Sequence, residues 1–374
     1  MLSYIEISKE NLLHNFGVIR NYINPETKII CVIKANAYGH GQNEVAQVLE
    51  NYTDYFQVDD VQELKLLREV SQKSILVLGY VANGEIEDAL KLNGILAVYD
   101  LEQVREINEI AKNLNKIAIV HIKIDAYLGR QGVLVGDAQS FAQGLQEFGN
   151  VKVDGIYSHF ANIEDTGDFS HAQKQIDAYR ETLKIFASVG FKDIKSHISS
   201  TAGTLVYEKN QGNSSLIRFG IGLYGLWPSE ELKKKFEKDD FKLKPVARWV
   251  THIAQVKTLP ANYSIGYGLT YITTRETKVA VIPQGYSDGY DRGLSNIGEV
   301  LIKGTRCKIL GRVAMNMFVA DVSHLDDVTA EEEVVLLGKQ GEAEITAEEI
   351  AKKTGTINYE VVARISALLP RIIL

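Results

Sequence analysis

The chain has 374 residues, 45% of them hydrophobic and 24% charged, enough apolar material for two domains with sizeable cores. Its net charge of -7 and isoelectric point near 5.7 argue against a general polyanion binder, so nucleic acid is not an expected partner. Two cysteines, Cys31 and Cys307, make neither a disulfide framework nor a metal-ligand cluster; no metal is expected, and a reducing, cytoplasmic setting fits.

The N-terminal stretch MLSYIEISKENLLHNF lacks a basic region followed by an apolar core, and no later run reaches membrane-spanning length. From residue 28 to about 240, β-branched runs alternate with amphipathic stretches, the pattern of a parallel sheet with crossover helices. The expected strands are 28–35, 55–59, 74–81, 94–100, 116–125, 151–160, 193–200 and 214–220. Between them GQNEVAQVLENY, DVQELKLLREV, LEQVREINEIAKNLN and HAQKQIDAYRETLKIFASVG carry apolar residues at three- and four-residue spacing. Eight such β/α units are the number that closes a barrel, so an α/β fold with a TIM-type (β/α)8 barrel is expected over 1–240. After FKLKPVARWV the texture becomes strands broken by Gly, Pro and Asp turns, with ITAEEIAKKTG as the one clear helix. A mainly β domain is expected over 241–374, joined by the first strand-like residues of the chain.

In such barrels the chemistry sits at the C-terminal ends of the strands. Lys34 ends the first expected strand, Lys123, Asp125 and Arg130 the fifth, and His159 the sixth; His197, Ser199, Ser200 and Thr201 end the seventh and Arg218 the eighth. The loops after the last two strands are the usual phosphate position: HISSTAGTL offers hydroxyls at a strand-to-helix turn, and RFGIGLYG offers close backbone approach. A phosphate and a lysine in one mouth suggest pyridoxal 5'-phosphate, which a lysine holds as a Schiff base and which then acts as an electron sink.

The motifs VIKANAYGHG, HIKID, SHFA, RFGIGLYGL, KPVARWVTHIAQVKTLPA, SIGYGLTY, VIPQGYSDGY, GRVAMN and GTINYE, in this order, resemble the alanine racemase family over essentially the whole chain. The resemblance implies a pyridoxal-phosphate barrel followed by a β domain, a homodimer with shared active sites, and a small amino acid, alanine or serine, as substrate. It further implies a D-amino acid supplied for peptidoglycan precursors.

By the same resemblance Lys34 holds the cofactor and acts as one base, an apolar strand end disfavouring its ammonium form. Tyr267, from the partner subunit, is the second base on the opposite face of the carbanion. Tyr38, Ser200, Thr201, Gly220, Ile221 and Tyr359 serve the phosphate. Arg218 faces the pyridine nitrogen and cannot readily give up its proton; His159 packs on the ring and His197 supports Arg218. Arg130 and the backbone N–H of Met315 hold the substrate carboxylate. Lys123 is either carbamylated, orienting Arg130, or unmodified and paired with Asp125. Tyr286 lines the entry corridor.

Three stretches depart from the family pattern. DAYLGR replaces DTGMGR and inserts Tyr127, Asn316 follows Met315 where an aspartate is usual, and the ending is LLPR rather than RVPR. They concern the substrate side rather than the cofactor. A chain starting abruptly on the domain also fits the serine-racemising branch of vancomycin-resistance systems, where the racemase is the cytoplasmic part of a membrane protein. Two competitors share parts of this reading. Basic amino-acid decarboxylases have the architecture but carry a glycine-rich phosphate loop and a cysteine-bearing β-domain motif, neither found here. Non-catalytic pyridoxal-phosphate-binding barrels would explain Lys34 but generally lack the β domain.

Overall fold

A computed structural model describes residues 1–208, 214–238 and 241–374. The chain forms two units: Leu12–Ala35 with Val45–Lys244, and Met1–Asn11 with Asn36–Glu44 and Pro245–Leu374. Residue 240, where the sequence reading ends the barrel, lies outside the described residues.

After β1 (Tyr4–Ile7), the first unit is a parallel sheet of β2 (Lys28–Val32), β3 (Tyr55–Val58), β4 (Ser74–Val77), β5 (Gly94–Val98), β6 (Ala118–Asp125), β7 (Val151–Tyr157), β8 (Lys195–His197) and β9 (Leu216–Phe219). They pair in the order β9-β2-β3-β4-β5-β6-β7-β8, and a two-residue strand, Val133–Leu134, adds to β6. The Arg218 N–H donates to the Ser199 carbonyl at 3.0 Å where the two ends meet, so the barrel is nearly closed. Ile30, Tyr55, Leu76, Ile95 and Leu216 pack into one apolar cluster within it. All eight expected strands are present; β6 runs to Asp125 as expected, and the other seven stop before their expected ends. Lys34, Arg130, His159, Ser200 and Thr201 lie in the loops beyond the strands, while Lys123, Asp125, His197 and Arg218 stay within them, and apolar sequence alone does not mark where a strand ends.

The helices obey local chemistry. Asp60 caps Val61–Arg68 by accepting from the Glu63 N–H, and Asp100 caps Leu101–Asn113 through the Glu102 N–H. Ser170–Val189 ends on Gly190 at φ 112°, the left-handed position glycine takes without strain. Helices Gln42–Leu49, Asn83–Lys91 and Ala138–Leu145 lie in further crossovers of the alternation.

The second unit is a mainly antiparallel sheet, in which β1 pairs antiparallel with Ala247–His252 and parallel with Arg371–Ile373. Leu259, Ile265, Val279 and Leu310 form part of its core. Thr346 caps Ala347–Thr354, and Gly355 at φ 73° ends it. A second short helix, Asn358–Ala363, follows, which the sequence reading did not single out. Among the described residues no helix is long and apolar enough to cross a membrane.

Candidate active site

Strand β2 stops at Val32, and Lys34 opens the turn Lys34–Tyr38, in which Ala35, Asn36, Ala37 and Tyr38 all hold φ of 52 to 53°. Left-handed backbone costs roughly 1–2 kcal/mol for each non-glycine residue, so this turn exists only because its surroundings fix it. The Glu63 carboxylate accepts from the N–H of Ala35 at 2.6 Å and of Asp59 at 2.7 Å. Within the turn Asn36 takes the Gly41 N–H on its carbonyl and the Gln42 N–H on its side chain. His40, its pKa pushed down to about 4 chiefly by burial, places Nδ1 within 3.1 Å of the Ala37 and Tyr38 carbonyls. Arg371, from the LLPR ending, donates to the Gly39 carbonyl at 2.7 Å.

Two expectations for Lys34 are corrected. It lies beyond the strand rather than on its end, because the chain turns left-handed there. Its amine is also not in an apolar setting: Nζ is 3.0 Å from Oδ1 of Asp59, with the two side chains 34% and 50% exposed. The next strand delivers an acid, not a hydrocarbon.

Charge gathers in the barrel around His159. Burial, then the positive charges of Arg218, Arg130, Lys123 and Lys34, push its pKa down to about 3. Four of the expected cations therefore act on one neutral imidazole, a field suited to an anionic ligand. Lys123 is itself pushed down to about 8, first by burial and then by Arg130 and Arg218. It forms no ion pair with Asp125, whose carboxylate accepts from the N–H groups of Leu128, Gly129 and Arg130 at 2.8, 2.9 and 3.1 Å. That corrects the alternative of a Lys123–Asp125 pair, since the acid is used to shape the Arg130 loop.

Arg218 is buried and donates to His197 Nδ1 at 2.6 Å, to His159 Nδ1 at 3.0 Å, and to the Ser158 and Ile198 carbonyls at 2.9 Å. Both imidazoles must accept at Nδ1 and so carry their proton on Nε2. The His197 ring also stacks on Tyr157, centroids 5.0 Å apart.

Ser200 and Thr201 open the short helix Thr201–Gly203, and Gly220 and Ile221 open the turn after β9. The two turns abut: Thr201 Oγ1 accepts from the N–H of Gly220 at 3.2 Å and of Gly222 at 3.3 Å. A Cβ on Gly222 would lie 2.6 Å from the Phe219 ring and 2.8 Å from Thr201, so only glycine allows this approach. Ser199 is engaged elsewhere, buried and donating to Glu208 at 2.7 Å.

The β unit holds Tyr38 beside Tyr359, ring centroids 6.3 Å apart. Tyr267, 73% exposed, stands on a turn between Gly266 and Gly268, each at φ 72°. Tyr286 and Met315 are brought together through backbone: the Tyr286 N–H donates to the Ala314 carbonyl, and Ser287 donates to the Met315 carbonyl from N–H and hydroxyl. Asn316 donates to the Ser287 hydroxyl at 2.8 Å, so the departing residue holds the same loop.

Sequence reasoning missed Asp59, Glu63, His121 and Tyr157. Glu63 had a signal, three residues after the cap Asp60. His121 had one also, since His121, Lys123 and Asp125 alternate along β6 and share a face.

A nearly closed β/α barrel with a lysine on a strained turn, a cation-lined interior and a second, mainly β unit defines the class of barrel enzymes built around pyridoxal phosphate. Residues 7–228 match the family model described as alanine racemase, N-terminal domain, and residues 246–373 that described as alanine racemase, C-terminal domain. The chain belongs to the alanine racemase family. It is 36% identical over 371 residues to "Alanine racemase 2" of Caldanaerobacter subterraneus subsp. tengcongensis, covering 98% of this chain and 94% of that one. Alanine racemase of Clostridium difficile 630 superposes with a TM-score of 0.93 at 34% identity, over 100% of this chain and 96% of that one. Alanine racemase from Bacillus anthracis with bound L-Ala-P gives 0.93 at 31% identity, over 100% and 95%.

Pyridoxal phosphate is the cofactor of this family, and the residues present fit it. An amine stands at the head of the Lys34 turn, four cations act on His159, and hydroxyls and close-packed glycines meet at Thr201 and Gly222.

Proposed function

We propose that the protein is an alanine racemase, interconverting L- and D-alanine with pyridoxal phosphate. The observation that carries this reading is Lys34 on its strained turn, in a barrel where Arg218 bonds His159 and the charges of Arg130, Lys123 and Lys34 also act on it, within a chain that follows alanine racemases over 98% of its length. When bound, the cofactor supplies an electron sink for the carbon that exchanges its proton.

The protein's own residues then divide the work. Lys34 Nζ holds the cofactor and moves the proton on one face, and Tyr267 Oη moves it on the other, from the second subunit of a homodimer. Arg130 and the Met315 N–H bind the substrate carboxylate. Arg218, its proton not readily lost, faces the ring nitrogen, with His197 behind it and His159 against the ring. Ser200, Thr201, Gly220, Ile221, Tyr38 and Tyr359 hold the phosphate. Tyr286 lines the entry. Lys123, with its lowered pKa, is a ready nucleophile for carbon dioxide, and the resulting carbamate would orient Arg130.

A homodimer accounts for the apolar side chains that the β unit exposes at Tyr267, Leu269, Ile272, Met315 and Met317. Free, buried Cys31 and Cys307 suit a cytoplasmic protein, and its product suits peptidoglycan precursors. Incubating the protein with L-alanine and with L-serine, and resolving the enantiomers, tests the reading. Alanine should racemise, with serine measuring how wide the site is, and Tyr267→Phe should abolish proton exchange from one enantiomer first. No D-product from either substrate, or carbon dioxide release from lysine or ornithine, would overturn it.

A further inference from the structure

Behind Arg218 the barrel contains three titratable groups that the proposed chemistry does not use: His121, Asp154 and Lys195. His197, which receives Arg218 on Nδ1, has Nε2 2.9 Å from Nδ1 of His121. His121 Nε2 in turn lies 3.3 Å from Asp154 Oδ2, and Lys195 Nζ donates to both Asp154 oxygens at 2.7 Å. His121 and His197 are completely buried.

The direction of these bonds is fixed from both ends. Arg218 has only protons to offer, so His197 accepts at Nδ1 and donates from Nε2. His121 then accepts at Nδ1 and donates from Nε2 to a carboxylate that can only accept. One tautomer of each imidazole satisfies the whole chain, and an added proton on either ring would face a donor. Burial, first among the causes, lowers the pKa of both histidines, consistent with neutral rings.

Backbone features serve this arrangement. The pairing of β6 with β7 shifts register between Val120 and His121, so that Val120 opposes Val153 and His121 opposes Gly155, leaving Asp154 as the extra residue of a bulge. A Cβ at Gly155 would lie 2.6 Å from the His121 ring. The bulge and the glycine together let Asp154 reach a ring that an ordinary ladder would exclude. At the far end, Lys195 lines a cavity of about 340 Å³ with Thr27, Lys28, Ser214 and Ser215, where the strands begin. The chain therefore runs from the solvent-facing end of the strands to Arg218.

We propose that Asp154 and His121 are positioning residues for the racemase reaction, acting through His197 on Arg218 by a one-way hydrogen-bond relay. The carboxylate polarises both rings, which strengthens His197 as the acceptor that fixes the guanidinium. This rests on the racemase reading for its kinetic consequence but not for the relay itself.

Nuclear magnetic resonance of the imidazole N–H groups in the cofactor-free protein tests the relay. Both His121 and His197 should carry their proton on Nε2, protected from solvent exchange. Asp154→Asn should speed exchange at His121 and also at His197, which does not touch residue 154; a local structural role would move His121 alone. In the holoenzyme the same variant should shift the cofactor's visible band and lower kcat for alanine on the order of tenfold, with KM little changed. Should that variant not fold, His121→Gln, which can accept and donate as the imidazole does, should retain the band and most of kcat, whereas His121→Leu should lose both. An unchanged His197 proton and band in the asparagine variant, or equal behaviour of the glutamine and leucine variants, overturns the proposal. Absence of alanine turnover in the wild type would instead refute the racemase reading and leave the exchange measurement standing.

Discussion

Removing the Glu63 carboxylate tests whether the left-handed turn is held from outside. In Glu63→Ala, two backbone N–H groups lose a charged acceptor, those of Ala35 and Asp59. Bonds to charged groups contribute about 1.5–3 kcal/mol each, but Ala35 is exposed and water can replace part of its loss. Assigning about 1 kcal/mol to Ala35 and about 2 kcal/mol to the partly buried Asp59 gives about 3 kcal/mol. Against this, Ala35–Tyr38 hold roughly 4–8 kcal/mol of left-handed strain, so the freed turn should relax rather than stay. Hydrogen exchange of the segment 33–42, followed by mass spectrometry, should then rise by roughly a hundredfold in the alanine variant, since each 1.4 kcal/mol is a factor of ten. Glu63→Gln keeps one acceptor and turns an amide against the other N–H, so its change should be intermediate. Pyridoxal phosphate should also load more slowly onto both variants, because Lys34 heads the turn. Exchange of this segment unchanged in Glu63→Ala would refute the claim that the carboxylate maintains it.

Lys123→Met should stabilise the carbonate-free, cofactor-free protein near neutral pH. A lysine whose pKa falls from 10.5 to about 8 on folding loses stability below about 8 and regains it as pH rises towards 10.5, about 3 kcal/mol in all. The advantage of methionine in urea unfolding should therefore shrink over that window and also with added bicarbonate; a pH-independent difference would contradict it. Tyr127 holds φ 62° with Lys174 4.0 Å above its ring, so Tyr127→Gly should relieve about 1 kcal/mol of strain while losing a comparable cation–π and chain-entropy contribution. The glycine variant should lie within about 0.5 kcal/mol of wild type by urea titration, whereas Tyr127→Ala, which keeps the strain, should lose about 0.5–1 kcal/mol. Asp59→Asn removes a half-exposed partner of Lys34, a pair worth at most about 1 kcal/mol, so cofactor loading should accelerate by no more than about fivefold at low salt and not at all at high salt. A tenfold effect would mean that Asp59 does more than neutralise the amine.

The fold was legible because hydrophobic period and turn chemistry agree along the chain. β-branched runs such as KIICV and GILAV alternate with helices capped by Asp60 and Asp100, and the parallel order follows from that alternation. Strand ends were not legible, since Ile33 is as buried and apolar as the strand before it and still donates its N–H to the Gln57 carbonyl of β3, yet the strand ends at Val32 and the chain turns left-handed from Ala35. The assignment of β1 to the second sheet could be only partly anticipated, because pairing with Ala247–His252 joins residues more than 200 positions apart.

Within the site, the divide falls between residue type and residue setting. Lys34, Lys123, Arg130, His159, His197 and Arg218 were identifiable because charged groups at strand ends are unusual, and they do act on one another. Their partners were not, because Asp59 and Glu63 read as ordinary helix-start acids, and Asp154 as a surface residue of a strand. A single inserted position in the β6–β7 register turns Asp154 onto His121, and a left-handed turn redirects the backbone after Lys34. Both depend on backbone geometry that no side-chain pattern encodes. Exact register and the sign of φ therefore decide which acid meets which base, and the chemistry of the barrel depends on those two local choices as much as on the residues that the motifs display.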